Sequence, residues 1–231
     1  YSTGAVSTYF VRSGMGQMYV YGYEEVKTMA TNACTHMRDR APVIVGTSGI
    51  WNRDRDNKPD PDVYTRQAVE LSRFAQDEGA AAVVLTMPEG LVLRNGESPL
   101  DASLRYFEAV SYAIDIPIML YQTPGVDKSF CVTADSIKAI AQVPRIAGIK
   151  ISTADAYYML DICWATRDLD FCYVVGHEGG FYSGLGMGAT GCIGQGACVN
   201  PAILKAVQVR FEEGDLRGAM DAQRSVNMLV Q

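Results

Sequence analysis

The sequence predicts an α/β protein of the (β/α)8 TIM-barrel class. Short apolar runs recur along its 231 residues, each followed by a stretch of helical periodicity. Most of the runs are also continuously apolar rather than alternating, as expected of parallel strands covered on both faces. Seven such units favour a barrel over a doubly wound sheet. Closure ordinarily takes about eight strands, so either the first strand lies outside residues 1–231 or one strand carries no clear apolar run, and the chain is expected to be a single, partial barrel domain.

The first unit is an apolar opening from Ala5 to Val11, a turn at Ser13-Gly14-Met15-Gly16, and a helix leading through Glu24, Glu25 and Lys27 to Met37. Pro42–Thr47 supplies the second strand and Val63–Glu78 the second helix, with Val69, Leu71, Phe74 and Ala75 as its apolar positions and Gly79 as its stop. Ala81–Leu85 precedes a helix over Ser98–Ala113, and Pro117–Tyr121 one over Thr133–Gln142. Ile146–Ile149 precedes Asp155–Thr166, Phe171–Val175 precedes Phe181–Met187, and Gly191–Ile193 precedes Pro201–Glu213. A last helix spans Leu216–Val230.

A chain that is 48% hydrophobic and 20% charged can bury a substantial core. Its net charge of −6, with no basic run beyond Arg53/Arg55, gives no footprint for nucleic acid or an anionic membrane. The apolar runs are far shorter than the roughly 20 residues of a spanning helix, and no signal-peptide pattern opens the chain, so a cytoplasmic protein is expected. The six cysteines form no C-x-x-C pair and the only histidines are His36 and His177, which predicts structural thiols and no metal site.

Active sites of parallel barrels sit at the carboxyl ends of the strands. Five of the six lysines, Lys27, Lys58, Lys128, Lys138 and Lys205, fall in helices or polar loops. Lys150 instead interrupts Ile146-Ala147-Gly148-Ile149-Lys150-Ile151, so its ammonium emerges among apolar neighbours, where desolvation lowers its pKa and favours the nucleophilic amine. The same position also suits a lysine reaching to solvent at the rim, or one paired to a carboxylate such as Glu178. Tyr121 ends the preceding strand and reaches the same mouth, as a proton relay or as a packed aromatic.

These residues carry a resemblance to the dihydrodipicolinate synthase and N-acetylneuraminate lyase family of Schiff-base pyruvate aldolases. The family's Tyr-Asn-x-Pro-Gly is similar to Tyr121-Gln122-Thr123-Pro124-Gly125, and its Gly-Ile-Lys-x-Ser/Thr to Gly148-Ile149-Lys150-Ile151-Ser152. The resemblance runs from about residue 5 to about residue 225. It implies an eight-stranded barrel whose first strand and C-terminal helices lie outside these residues, a homo-oligomer, usually a tetramer or otherwise a dimer, a pyruvate-like 2-oxo acid as substrate, and no cofactor. Lys150 would form the imine and Tyr121 shuttle protons, while the amides of Gly14 and Met15 receive the carboxylate and Gly176 and Ile193 line the pocket.

Departures from the pattern narrow the reaction. The family's Gly-Thr-Thr-Gly-Glu is Ser13-Gly14-Met15-Gly16-Gln17 here, which removes two hydroxyls, and the arginine of the synthases after Pro-Gly is Val126. The tyrosines after their fourth strand become Glu89 and Gly90. These changes argue against the lysine-biosynthetic reaction, and Met15, Met87 and Val126 suggest a bulky, less polar oxo acid. His177 and Glu178 stand where second-substrate contacts arise. One alternative is a non-catalytic 2-oxo-acid-binding barrel. A dinucleotide-dependent oxidoreductase is the remote one, because Gly186-Met187-Gly188-Ala189-Thr190-Gly191 fits G-x-G-x-x-G, although these glycines follow a helix and lead into a strand.

Overall fold

The computed structural model describes residues 4–230. Seven parallel strands pair in chain order: β1 (Tyr9–Val11), β2 (Val43–Gly46), β3 (Ala82–Thr86), β4 (Ile118–Gln122), β5 (Ile146–Ile151), β6 (Cys172–Val175) and β7 (Gly191–Cys192). The sheet curls as an arc with β1 and β7 at its edges, covered by α1 (Tyr23–Met37), α2 (Pro61–Asp77), α3 (Pro99–Ser111), α4 (Ala134–Ile140), α5 (Ala156–Thr166), α6 (Phe181–Gly186), α7 (Pro201–Glu212) and α8 (Leu216–Leu229). The architecture is the predicted α/β barrel type. Its first strand is shorter than expected, three residues instead of the run from Ala5.

Period-two alternation separates two layers of packing. Val43 and Val45, Val83 and Leu85, Ile118 and Leu120, and Ile149 and Ile151 join the large cluster between sheet and helices. Ile44, Val84 and Tyr121, with Met18, form a smaller one on the inner face, against which Phe10, Met119 and Ile193 pack. The inner face is thus apolar around Lys150, which lies on the same alternation.

Register fixes where that lysine emerges. The β4–β5 ladder shifts between Ile118 and Met119, so that Met119 faces Gly148 and Tyr121 faces Lys150. Gly148 has a steric reason to lack a side chain, since a Cβ there would lie 2.5 Å from the carbonyl oxygen of Cys172 on β6.

Helix starts follow local chemistry. Asp60 accepts hydrogen bonds from the amides of Asp62 and Val63 at the start of α2, just before Pro61. We expect Asp60→Ala to cost about 1 kcal/mol of stability in urea titration, with no change in the midpoint slope. The glycines of the G-x-G-x-x-G match end α6 and lead into β7, so no strand feeds them as a dinucleotide site requires.

Candidate active site

At the carboxyl ends of the strands lies a cavity of about 1850 Å³ that extends between β1 and β7, and Lys150, Tyr121, Gly14, Met15, Gly176 and Ile193 all line it. Lys150 is 6% exposed. Its Nζ sits 4.4 Å from the ring centroid of Tyr121 and 5.6 Å from that of Phe10, and among the described residues no carboxylate lies within ion-pairing distance. Burial brings its pKa down to about 8, against the smaller opposing pull of Cys192 and Glu178. Of the two structural alternatives, neither a solvated rim lysine nor a directly paired one describes this geometry.

Tyr121 is buried edge-on against Phe10, with ring centroids 6.1 Å apart. Its hydroxyl lies 3.4 Å from Ser152 Oγ, which in turn donates to the carbonyl of Gly176 at 3.3 Å. Burial raises the phenol's pKa and the Ser152 contact pulls it back down. Ser152 closes the lysine motif, yet sequence reasoning gave it no role. Its two-residue offset from Lys150 keeps it on the inner face, and that offset was the available signal.

Two glycines make this arrangement possible. A Cβ on Gly176 would fall 2.5 Å from Ser152 Oγ and 2.8 Å from the carbonyl oxygen of Ile151, and one on Gly14 would fall 2.9 Å from the Tyr121 hydroxyl. The Gly14 turn is folded on itself by bonds from Gln17 N to Gly14 O and from Met18 N to Ser13 O. The amides of Gly14 and Met15 have no hydrogen-bond acceptor among the described residues. They are donors at the cavity wall, an arrangement suited to a carboxylate.

Further along the mouth, Glu178 is buried, lines the cavity and accepts a hydrogen bond from Gly196 N at 2.6 Å. Cys192 also lines the cavity, and burial pushes its thiol up to about 12, which leaves it protonated and a poor nucleophile. Gln122, beside Tyr121 in the sequence motif, anchors the following loop by accepting from Val132 N and the Tyr158 hydroxyl.

Two of the three residues used to argue for a less polar substrate stand differently from that expectation. Val126 and Met87 are buried in the outer core and do not line the cavity, so only Met15, 71% exposed, bears on the ligand. Glu89 is buried as well, and it holds Arg53 and Arg55 at 2.9 and 3.1 Å and accepts from Asp127 N at 2.8 Å. Arg53, which sequence reasoning left unused, does line the cavity. Among the described residues no group of three His, Cys, Asp or Glu side chains is placed to hold a metal.

A parallel arc of seven strands covered by helices, with a cavity at the carboxyl ends of the strands, defines a protein of the TIM-barrel type. Residues 3–231 match the pattern of the Dihydrodipicolinate synthetase family, and the chain belongs to that family. It is 28% identical over 207 residues to the 4-hydroxy-tetrahydrodipicolinate synthase of Rhodospirillum centenum, which covers 87% of this chain and 62% of that protein. The homologue of that name from Nitrosospira multiformis is 29% identical over 91% of this chain and 64% of its own length. The chain therefore spans less than two thirds of these relatives. The pyruvate complex of YagE from Escherichia coli K12 superposes with a TM-score of 0.83 at 24% identity, over 99% of this chain and 71% of that one. N-acetylneuraminate lyase from Mycoplasma synoviae superposes at 0.77 with 20% identity, over 96% and 68%.

Proposed function

We propose that this chain is the catalytic barrel of a Schiff-base lyase acting on pyruvate or a related 2-oxo acid. The observation that carries the reading is Lys150: a buried, unpaired amine in the cavity, pressed on the ring of Tyr121, with its pKa lowered to about 8. Family membership and the pyruvate found in YagE and in the Acinetobacter baumannii dihydrodipicolinate synthase support the substrate class.

In the proposed reaction the neutral Lys150 amine adds to the C2 carbonyl and the carbonyl oxygen takes a proton to give a carbinolamine. Loss of that oxygen as water, with a proton delivered through Tyr121, leaves a protonated imine. The imine accepts the electron pair released by C–C cleavage, or by loss of a C3 proton ahead of addition or dehydration. Protonation of the resulting enamine at C3, followed by hydrolysis of the imine, returns the oxo acid and the free amine. The amides of Gly14 and Met15 hold the carboxylate, and the backbone at Gly176 and Ile193 closes the pocket. Ser152, which fits the Ser/Thr of the family's lysine motif, supplies Tyr121 with a hydroxyl neighbour, while the two threonines of the family's turn are Gly14 and Met15 here.

A single barrel domain that self-associates fits the apolar side chains left exposed on α5, Tyr157, Leu160 and Trp164, which are 85%, 44% and 64% exposed. No described helix is long and apolar enough to cross a membrane, and all six cysteines are free, which supports a reducing cytoplasmic setting.

Incubation with pyruvate and borohydride should add one reduced adduct, at Lys150. An unchanged mass would sink the imine and promote the non-catalytic binding barrel. The rate of trapping should climb with pH as the amine loses its proton, with its midpoint near 8 where an unperturbed lysine would give about 10.4. A midpoint above 10 would show that burial does not prime this amine.

A further inference from the structure

The chain lacks an arginine after Pro124-Gly125, but the cavity does not lack a cation near that turn. Arg53 comes from the β2–α2 loop, a different loop from the one that the sequence motif draws attention to. Its Nε donates to the buried Glu89 carboxylate at 2.9 Å and its Nη2 to the carbonyl of Pro124 at 2.9 Å. The guanidinium carbon lies 5.3 Å from the ring centroid of Tyr19. With Nε and Nη2 engaged, the remaining amino group, Nη1, has no acceptor among the described residues.

The scaffold around Arg53 is built to hold it still. Glu89, 4% exposed, also takes Arg55 Nη2 and Asp127 N, while its own carbonyl accepts from Lys58 Nζ at 2.7 Å. One buried carboxylate thus ties the loops after β2, β3 and β4 together and is paired with two arginines, with Lys58 on the backbone carbonyl of the same residue. The nearby acids are turned to local partners: Asp54 accepts from Asp56 N, and Asp127 from Ser129. Arg53 itself is held with its backbone at φ +66°, a conformation that bulky residues rarely adopt, and its side chain is 24% exposed on the cavity side. Next to it, the Tyr19 hydroxyl makes a long hydrogen bond of 3.5 Å to Thr123 Oγ1, and both side chains line the same cavity.

We infer that Arg53, with the hydroxyls of Tyr19 and Thr123, forms a distal oxyanion subsite that selects oxo acids carrying a second carboxylate. The assignment rests on the imine reading, because it concerns the far end of a substrate whose carbonyl is at Lys150. It reverses the expectation of a less polar substrate drawn from Met87 and Val126, which are not in the cavity. Only one amino group of the fork is free, so the contact is a single charge-assisted donor supplemented by hydroxyls, not a bidentate clamp.

The test compares borohydride trapping of chain-matched oxo acids that differ in tail charge: 2-oxoglutarate against 2-oxopentanoate, and 2-oxoadipate against 2-oxohexanoate. The wild-type protein should half-saturate at about tenfold lower concentration of a dianionic member than of its matched neutral one, as one charge-assisted hydrogen bond allows. Arg53→Gln should bring that ratio to about one. No wild-type preference, or a preference that survives in Arg53→Gln, overturns the subsite. Should Arg53→Gln fail to fold, Arg53→Met is compared instead: it keeps an unbranched stem and removes the charge, and an undiminished ratio overturns the proposal. If the wild-type protein traps no oxo acid at all, the imine reading fails separately. Calorimetric titration with glutarate against pentanoate then decides the subsite: glutarate binding that is lost in Arg53→Gln sustains it, and equal heats for the two acids end it.

Discussion

Lys150→Met should remove trappable pyruvate altogether and make the protein more stable at pH 7. The two effects share one origin. Burial lowers the Lys150 pKa from about 10.4 in an unfolded chain to about 8, so folding costs the protonated amine its hydration. Between pH 8 and about 10.4 the unfolded state holds more protons than the folded one, and wild-type stability rises with pH across that window. Below pH 8 the penalty is present in full. A shift of this size corresponds to about 3 kcal/mol at neutral pH, of which methionine, similar in length and uncharged, should recover a substantial part. The melting temperature at pH 7 should therefore rise by several degrees, and the Lys150→Met protein should lack the wild type's gain in stability between pH 8 and 10. Persistent trapping in the variant would move the chemistry to Lys205, the other lysine lining the cavity. A loss of stability at pH 7 would mean that the ammonium is stabilised by its surroundings, not strained by them.

That lysine was legible in the sequence because its signal is local. A charged residue inside an apolar strand violates the pattern around it, and the neighbouring strand carries its tyrosine at the matching end. The elements were legible for the same reason: strand runs and helix periodicity depend on residues a few positions apart. The irregularity between Ile118 and Met119, which sets Tyr121 against Lys150, was not, because a register shift is decided by the partner strand. Nor was the role of Arg53. Its meaning comes from Glu89, thirty-six residues away, and from a carbonyl seventy-one residues away, and nothing in its own neighbourhood marks it. Val126 and Met87 misled for the converse reason. Position beside a motif suggested a cavity wall, while the chain's path put both into the outer core.

Tyr121→Phe should slow imine formation and turnover by about 10²-fold or more, since a positioned proton donor is worth roughly that much, while leaving the fold intact. Phenylalanine keeps the packing on Phe10 and the aromatic face toward Lys150, so the loss would report the hydroxyl alone. Ser152 acts through that hydroxyl. By turning its one proton from the Gly176 carbonyl to the phenolate, Ser152 lowers the raised phenol pKa, so Ser152→Ala should push the phenol higher and move the alkaline limb of the rate profile upward in pH, a change that simple loosening of the site would not produce. If the two residues work as one relay, the double variant should be no slower than Tyr121→Phe, because removing the phenol leaves Ser152 nothing to tune. Multiplicative losses would instead mean that Ser152 meets the substrate directly. Reaching both Tyr121 and the Gly176 carbonyl, it would then replace by position one of the hydroxyls that Gly14 and Met15 lack.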